Sequence, residues 1–262
     1  MDYSQATTKE LIIAGLGLFW HNLKNIIGLI AIQMITMSIL LLFIVMILLN
    51  LMAESTPEQV GYGALLGVLV GIFICLSVCL VFPVAYLKKF MAAQSNETIA
   101  TRVSLLHGLT YIKPLLIWFL IYFVIAGGLL LTLSLSQRSL LFFPLTIPGI
   151  IFLVSLCLSP FLIILEDQGP LQAIKQSHKM VWRQWWRTAG YLIVAGISVL
   201  LVFLAIALPF TFVFAILSAA IPLFIGALNI IYALILSALL PLFIALVYPC
   251  YLATKSHKQS IV

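Results

Sequence analysis

Four basic side chains recur at every fourth position in one short stretch of this sequence, and they are the residues best placed to do chemistry. They are Lys175, Lys179, Arg183 and Arg187. Positions four apart lie on the same side of an α-helix, so a helix here would gather the positive groups. Lysine and arginine bind phosphate and carboxylate groups through charge-assisted hydrogen bonds. The spacing therefore predicts a surface that binds anions.

Catalytic motifs are absent from the sequence. It contains no G-x-S-x-G nucleophile motif, no H-E-x-x-H zinc motif and no glycine-rich phosphate loop. Ser177 and His178 are neighbours, but on a helix neighbouring side chains point about 100° apart. We therefore expect a protein that is not an enzyme and that has no cofactor and no metal site.

The composition of the chain excludes an ordinary soluble domain. The 262 residues are 64% hydrophobic and 8% charged, with a mean hydropathy of +1.26, whereas about a quarter of a soluble domain is charged. About 20 apolar residues cross the membrane as a helix. We predict an all-α integral membrane protein, one domain over 1–262, with six transmembrane helices. The spans are Ile26–Met52, Tyr62–Leu87, Leu115–Leu135, Leu140–Leu165 and two within Thr188–Thr254.

The last apolar tract, 188–254, has two interpretations. It contains Pro209, Pro222 and Pro241, and its length would also fit three spans. We prefer two long spans bent at the prolines, because a third would move the basic C-terminal tail to the other side of the membrane. A segment lying shallow in the outer face, Phe210–Ile221, remains open.

The basic residues fall in alternate connectors between the spans. These connectors hold 12 of the 13 Lys and Arg, and Arg138 is the exception. Connectors rich in Lys and Arg stay on the cytoplasmic side of a membrane. We therefore predict that both termini are cytoplasmic, and we interpret the net charge of +6 as a signal of orientation that does not indicate nucleic-acid binding.

A three-fold pattern divides the chain into units of approximately 5–90, 98–165 and 169–254. Each unit reads as a cytoplasmic amphipathic surface helix followed by a hairpin of two spans, and each returning span carries a proline near its inner end, at Pro83, Pro160 or Pro249. Proline removes a backbone donor and bends a helix. The bends let three pseudo-repeated hairpins pack around one axis, or they open a cavity towards the cytoplasm; we prefer the first interpretation.

The segment Gly169–Trp186 is predicted to lie along the cytoplasmic membrane face. Pro170 suits a first helical turn. One face collects Leu171, Ile174, His178, Val181, Trp182 and Trp185, and Lys175, Lys179, Arg183 and Arg187 lie beside it. A basic face next to an apolar one is typical of an interfacial helix. We predict that the bases hold anionic phospholipid headgroups and that the tryptophans fix the depth. In the competing hypothesis Glu166 and Asp167 pair with bases of a neighbouring surface helix, as a structural clasp.

The string LEDQGPLQAIKQSHKMVWRQWWR resembles the bacterial inner-membrane proteins of the YciC type and the related membrane domain of some glycerophosphodiester phosphodiesterases. The matching positions are Glu166, Gly169, Ala173 and Ser177. The resemblance implies a multi-pass protein of the bacterial inner membrane and leaves its activity open. This chain has no soluble phosphodiesterase domain, so that activity is not carried over.

Two functions fit these features. The first is a protein that binds or organises lipids or partners at the cytoplasmic leaflet. The alternative is a transporter or flippase that moves an amphipathic or lipidic substrate through a cavity between the hairpins. A permease for small solutes is the weaker hypothesis, because no ionisable residue lies in the middle of a predicted span, and such groups mark solute pathways.

Overall fold

The computed structural model describes residues 6–53, 62–95, 97–136, 143–220, 231–232 and 234–259. Every regular element in these ranges is helical, and they contain no β-strand. Helix formation follows from the composition, because a backbone in lipid must satisfy its polar groups within its own segment. The predicted all-α class is confirmed for the part of the chain that the structure describes.

Nine helices are named here in chain order. They are α1 (Thr8–Ala53), α2 (Tyr62–Gln94), α3 (Thr101–Thr110), α4 (Ile112–Ser136), α5 (Phe143–Leu156), α6 (Ser159–Leu165), α7 (Pro170–Trp182), α8 (Trp185–Ala220) and α9 (Leu240–Gln259). Within the described residues, six segments are long and apolar enough to cross a membrane: Thr8–Leu40, Leu76–Gln94, Ile112–Ser134, Thr146–Leu165, Trp185–Val213 and Leu234–Ser256. Six candidate spans agree with the number that the sequence predicts.

The helical segments that precede the odd-numbered spans differ in their connection to the span. The first is continuous with its span, because α1 runs through 46 residues without a proline. The second, α3, ends at Thr110, one residue before α4. Pro114 has no N–H to bond the carbonyl of Thr110, which explains a break there. The third, α7, is separated from α8 by a turn. The first predicted surface helix is therefore not a separate element.

The three prolines of the predicted repeat have different helical settings. Pro83 lies inside α2 and Pro249 inside α9. Pro160 instead lies in the first turn of α6, after α5 has ended at Leu156, where its missing N–H costs nothing. The helix is thus interrupted just before Pro160, whereas Pro83 and Pro249 lie inside continuous helices, and the three equivalent kinks and the three-fold repeat stay predictions.

The tract 188–254 contains two candidate spans within its described residues. Helix α8 continues without interruption through Pro209 to Ala220, so most of the segment proposed to lie shallow is part of a long helix. Pro241 lies in the first turn of α9. Pro222, like Glu54, Glu58 and Arg138 of the predicted outer connectors, lies outside the described residues.

Two compact units divide the chain. The first comprises Met1–Leu18, Leu109–Ala195 and Ala245–Val262, and the second comprises Phe19–Gly108 and Gly196–Ile244. In the first unit, Phe161 stacks on Tyr251 with ring centroids 5.5 Å apart, and Tyr191 donates a hydrogen bond to the carbonyl of Leu246 at 2.5 Å. All the predicted lipid-binding residues belong to this unit.

Buried polar side chains join helices within the second unit. The Gln33 amide donates to the carbonyl of Ser237 at 2.9 Å and accepts from the Tyr86 hydroxyl at 2.6 Å. The Lys89 ammonium donates to the carbonyl of Asn25 at 2.5 Å and to the Thr101 hydroxyl at 3.0 Å. Gln33 makes the contact across helices that polar side chains commonly make in membrane bundles.

Candidate functional site

The segment that carries the predicted anion-binding residues folds as helix α7, a short turn and the start of α8. Gly169 precedes α7 in an extended conformation, and Pro170 occupies the first turn, where its fixed φ suits the helix. At the other end the amide of Gln184 bonds the carbonyl of Val181 at 2.9 Å. Arg183 and Gln184 form the turn into α8. The basic residues therefore lie on two helices and on the turn between them.

Helix α7 packs on the protein through a face that includes two small side chains. Ala173, Ser177, Met180 and Val181 are buried, and the Ser177 hydroxyl donates to the carbonyl of Ser155 in α5. The predicted apolar face lies about 100° away from this one, as helical geometry gives it. The apolar pattern of the sequence did not indicate the Ser177 contact with α5.

The residues of the predicted apolar face have mixed environments. Leu171 is 63% exposed and Trp182 is 59% exposed. Ile174, His178 and Trp185 are half-buried, whereas Val181 is fully buried. His178 stacks on Phe152 of α5 and makes a tilted contact with Trp182, with ring centroids 5.4 Å apart in both pairs. The end of α7 therefore lies against a candidate membrane-spanning helix, which the sequence analysis did not predict.

Three of the four bases extend away from the protein. Lys175, Lys179 and Arg183 are exposed, and within the described residues their side chains have no hydrogen-bond or ion-pair partner. Arg187 is half-buried and donates to the backbone carbonyl of Ala6 and, at 3.4 Å, to the Gln184 side chain. The structure thus separates three solvated cations from a fourth that also holds the N-terminal segment.

A cavity of about 600 Å³ opens beside the turn between α7 and α8. Ile147, Ile150 and Ile151 of α5 line one side. The other side consists of the continuous run Trp182, Arg183, Gln184, Trp185, Trp186 and Arg187. The isoleucines and Trp186 were missed as site residues. The adjacent tryptophans in WRQWWR could have identified Trp186 as a site residue. The isoleucines belong to an apolar run about 30 residues earlier, and nothing in that run distinguishes them from their neighbours.

Glu166 is the centre of a separate polar cluster. Its carboxylate accepts hydrogen bonds from Tyr251 at 2.7 Å and Gln168 at 2.9 Å, and it pairs with the Lys255 ammonium at 2.9 Å. Gln176 of α7 adds a contact at 3.3 Å. Partial burial raises the pKa of Glu166, but the bonds from its partners, with Lys255 the strongest, outweigh burial and hold the pKa below its usual value. The carboxylate is therefore kept ionised.

Asp167 continues this cluster with the backbone in the left-handed region, at φ 50°, which aspartate tolerates better than most residues. Its carboxylate accepts a hydrogen bond from Tyr111, and burial together with this carboxylate raises the pKa of Tyr111 to about 12. The clasp hypothesis named bases of a neighbouring surface helix as the partners of Glu166 and Asp167, and the structure shows other partners. The two acids do hold elements together, but they use the C-terminal helix and a tyrosine instead of the bases of a surface helix.

The structure shows the contacts of the four positions on which the family resemblance rests. Glu166 is the hub of the polar cluster, while Ala173 and Ser177 form the buried face of α7. A side chain at Gly169 would meet no atom within 4 Å, and its φ of −62° suits any residue, so the structure shows no steric need for glycine there. Among the described residues, no group of three or more His, Cys, Asp or Glu could hold a metal ion.

One comparison with known proteins finds a relationship. The model of a family described as "Domain of unknown function (DUF7847)" matches residues 53–254. No curated protein matches the chain, and no solved structure matches it. The resemblance to the YciC type stays a prediction.

Proposed function

The chain belongs to the DUF7847 family, and from that premise we propose that it is a multi-pass membrane protein that binds and organises anionic phospholipids at the cytoplasmic leaflet. The observation that carries the proposal is the row of exposed bases Lys175, Lys179 and Arg183, which have no described protein partner, beside exposed tryptophans. Arg187 extends the row by one turn, although part of its guanidinium bonds the chain itself.

The energetics favour lipid headgroups as the partners of these bases. Each lysine or arginine near an anionic membrane surface contributes about 1 kcal/mol. Trp182 and Trp186 are 59% and 83% exposed, and indole rings prefer the boundary between headgroups and acyl chains. A row of exposed cations next to indole rings is therefore what a membrane surface stabilises.

The membrane orientation is part of the proposal. Six candidate spans and the placement of 12 of 13 Lys and Arg in alternate connectors support cytoplasmic termini. The resemblance to the YciC type supports a bacterial inner membrane. The three-fold arrangement of hairpins with surface helices belongs to the same proposal, supported by the helices that precede the third and fifth candidate spans.

A transporter or flippase of an amphipathic substrate is the second candidate function. The cavity beside the turn between α7 and α8 favours it, because its lining combines isoleucines with arginines. Transport would require net movement of labelled lipid between the leaflets of vesicles that contain the purified protein. Binding without movement would support the first candidate.

Charge reversal tests the proposed binding. The variant with Lys179, Arg183 and Arg187 changed to Glu is expected to lose copurified phosphatidylglycerol and cardiolipin by on the order of 100-fold, since about 3 kcal/mol of attraction is removed. A matched control changes three exposed bases elsewhere, Lys24, Arg102 and Lys113, to Glu. It makes the same change in net charge and is expected to keep its lipids. Equal lipid retention by both folded variants would contradict the proposal.

A further inference from the structure

The cavity beside the turn between α7 and α8 has an apolar side and a cationic side. Ile147, Ile150 and Ile151 form the apolar side, and they lie in the candidate span Thr146–Leu165. A surface contributed by such a helix is in contact with the region of the acyl chains when the helix crosses a bilayer. The apolar side of the cavity is therefore contributed by a candidate membrane-spanning helix.

The cationic side is contributed by the turn itself. Arg183 is exposed and has no hydrogen-bond or ion-pair partner within the described residues. Arg187 is held at the cavity by its bonds to the carbonyl of Ala6 and to Gln184. Two guanidinium groups four residues apart can approach one phosphate group, and a guanidinium binds phosphate with two parallel hydrogen bonds.

An unsatisfied donor lies in the same lining. The indole nitrogen of Trp185 is buried and has no hydrogen-bond partner within the described part of the chain, and Trp185 is one of the lining residues. A buried N–H without an acceptor costs free energy, and the Trp185 ring forms part of the cavity wall. The Trp186 ring, perpendicular to that of Trp185 at 4.7 Å, adds an apolar edge.

We propose that this cavity is a binding site for one anionic glycerophospholipid. The phosphodiester would bind Arg183 and Arg187, and one acyl chain would lie against the isoleucines of α5. The volume of about 600 Å³ falls within the range of pockets that bind small molecules, about 300–1,000 Å³. The inference rests on the proposed function and goes beyond it, because it replaces a diffuse attraction of lipids with a site of defined shape and a stoichiometry of one.

The test measures phosphatidylglycerol bound to the detergent-solubilised full chain by native mass spectrometry. Ile150→Trp places a bulkier side chain in the apolar side of the cavity and leaves every charge in place, and we expect it to weaken binding about tenfold through steric exclusion. Ile193→Trp is the matched control, since Ile193 is 61% exposed on α8 and does not line the cavity. We expect the control to bind like the wild type.

A second variant does not depend on filling the cavity. Arg183→Lys keeps the charge but cannot make a bidentate bond, so the site predicts binding weaker by about tenfold, whereas a diffuse electrostatic attraction predicts no change. Phosphatidylcholine with the same acyl chains should not bind, and inorganic phosphate should not compete. Competition by inorganic phosphate would show a simple anion site and overturn the proposal.

The outcomes separate this inference from the proposed function. If the charge-reversed triple variant retains its lipids, the proposed function fails. If that variant loses them while both Ile150→Trp and Arg183→Lys bind like the wild type, only the cavity site fails. Should Ile150→Trp not fold, as judged by size-exclusion chromatography, Arg183→Lys decides the question.

Discussion

Glu166 joins parts of the chain that lie far apart in sequence. Its carboxylate bonds Tyr251, 85 residues away, and pairs with Lys255 on the same helix, α9. The sequence resemblance identified Glu166 as a motif residue, but no spacing rule relates it to Tyr251 or Lys255. The residue was therefore predictable and its partners were not, because they depend on how the end of α9 packs against the loop after α6.

Removing the charge of Glu166 is expected to destabilise the protein at neutral pH. In Glu166→Gln the amide can still accept from Tyr251, but the ion pair is lost, so we expect a loss on the order of 1 kcal/mol, because the 40% exposed Lys255 side chain is screened by water. Glu97→Gln, an exposed acid, is the control. Thermal unfolding in detergent measures both, and equal melting temperatures for the two variants at pH 7 would contradict the role of the cluster.

The same carboxylate predicts a pH dependence. A carboxyl group whose pKa is lower in the folded chain stabilises the fold above its unfolded pKa, and this contribution disappears as the pH falls through the folded value. The pKa of Glu166 is lowered from 4.5. The stability difference between the wild type and Glu166→Gln should therefore be full at pH 6–7 and shrink below about pH 4.5. A difference that grows on acidification would refute this account.

At the scale of single helices, α7 shows which features can be predicted from helical periodicity and which cannot. The start at Pro170, the helical run and the exposed bases followed from the sequence. The buried face did not, because Ala173 and Ser177 carry little hydrophobicity, and a helical wheel gives weight to large apolar residues. Small residues let two helices approach closely. The contact between α7 and α5 depends on the surface that α5 presents. The sequence of α7 alone gives no information about that surface.

Gly15 illustrates such close packing in α1. A Cβ at this position would lie 2.8 Å from the carbonyl oxygen of Ala245 and 2.9 Å from the Cα of Leu246, so the backbones would have to separate. We expect Gly15→Ala to cost about 1–3 kcal/mol. Gly17→Ala on the same helix meets no atom within 4 Å and is expected to be neutral or stabilising, since alanine favours helices. Apparent melting temperatures compare the two, and a Gly15→Ala variant as stable as Gly17→Ala would contradict the packing.

For the whole molecule, composition predicted the helical class, and hydropathy together with the placement of the basic residues predicted six spans. The membrane thickness fixes how many apolar residues a span needs, but the length of 188–254 would also have fitted three spans, and the basic C-terminal tail favoured two. The boundaries were less predictable. Helix α1 begins at Thr8, well before the predicted span at Ile26, because no proline interrupts it. Helices α1, α8 and α9 each contribute residues to both compact units. This division depends on which distant segments pack together, and the hydropathy pattern of a single helix does not contain that information.

The predicted orientation can be measured directly. Reporter proteins fused after Lys258 and inserted near Glu58 should read cytoplasmic and periplasmic, respectively, because Lys and Arg are retained on the cytoplasmic side. A periplasmic signal after Lys258 would require an odd number of spans and would overturn the orientation. A fusion before Lys9 is the internal control and should read cytoplasmic.

The most direct measurement of the central claim is the composition of lipid that the wild-type chain retains. The protein is reconstituted into vesicles of equal parts phosphatidylglycerol and phosphatidylcholine with identical acyl chains, extracted in mild detergent, and its bound lipids are quantified by mass spectrometry. The exposed bases of α7 and of the turn after it predict bound lipid enriched in phosphatidylglycerol about tenfold or more, with the enrichment lost in the variant with Lys179, Arg183 and Arg187 changed to Glu. Retention of the two lipids in equal amounts by the wild type would contradict the account.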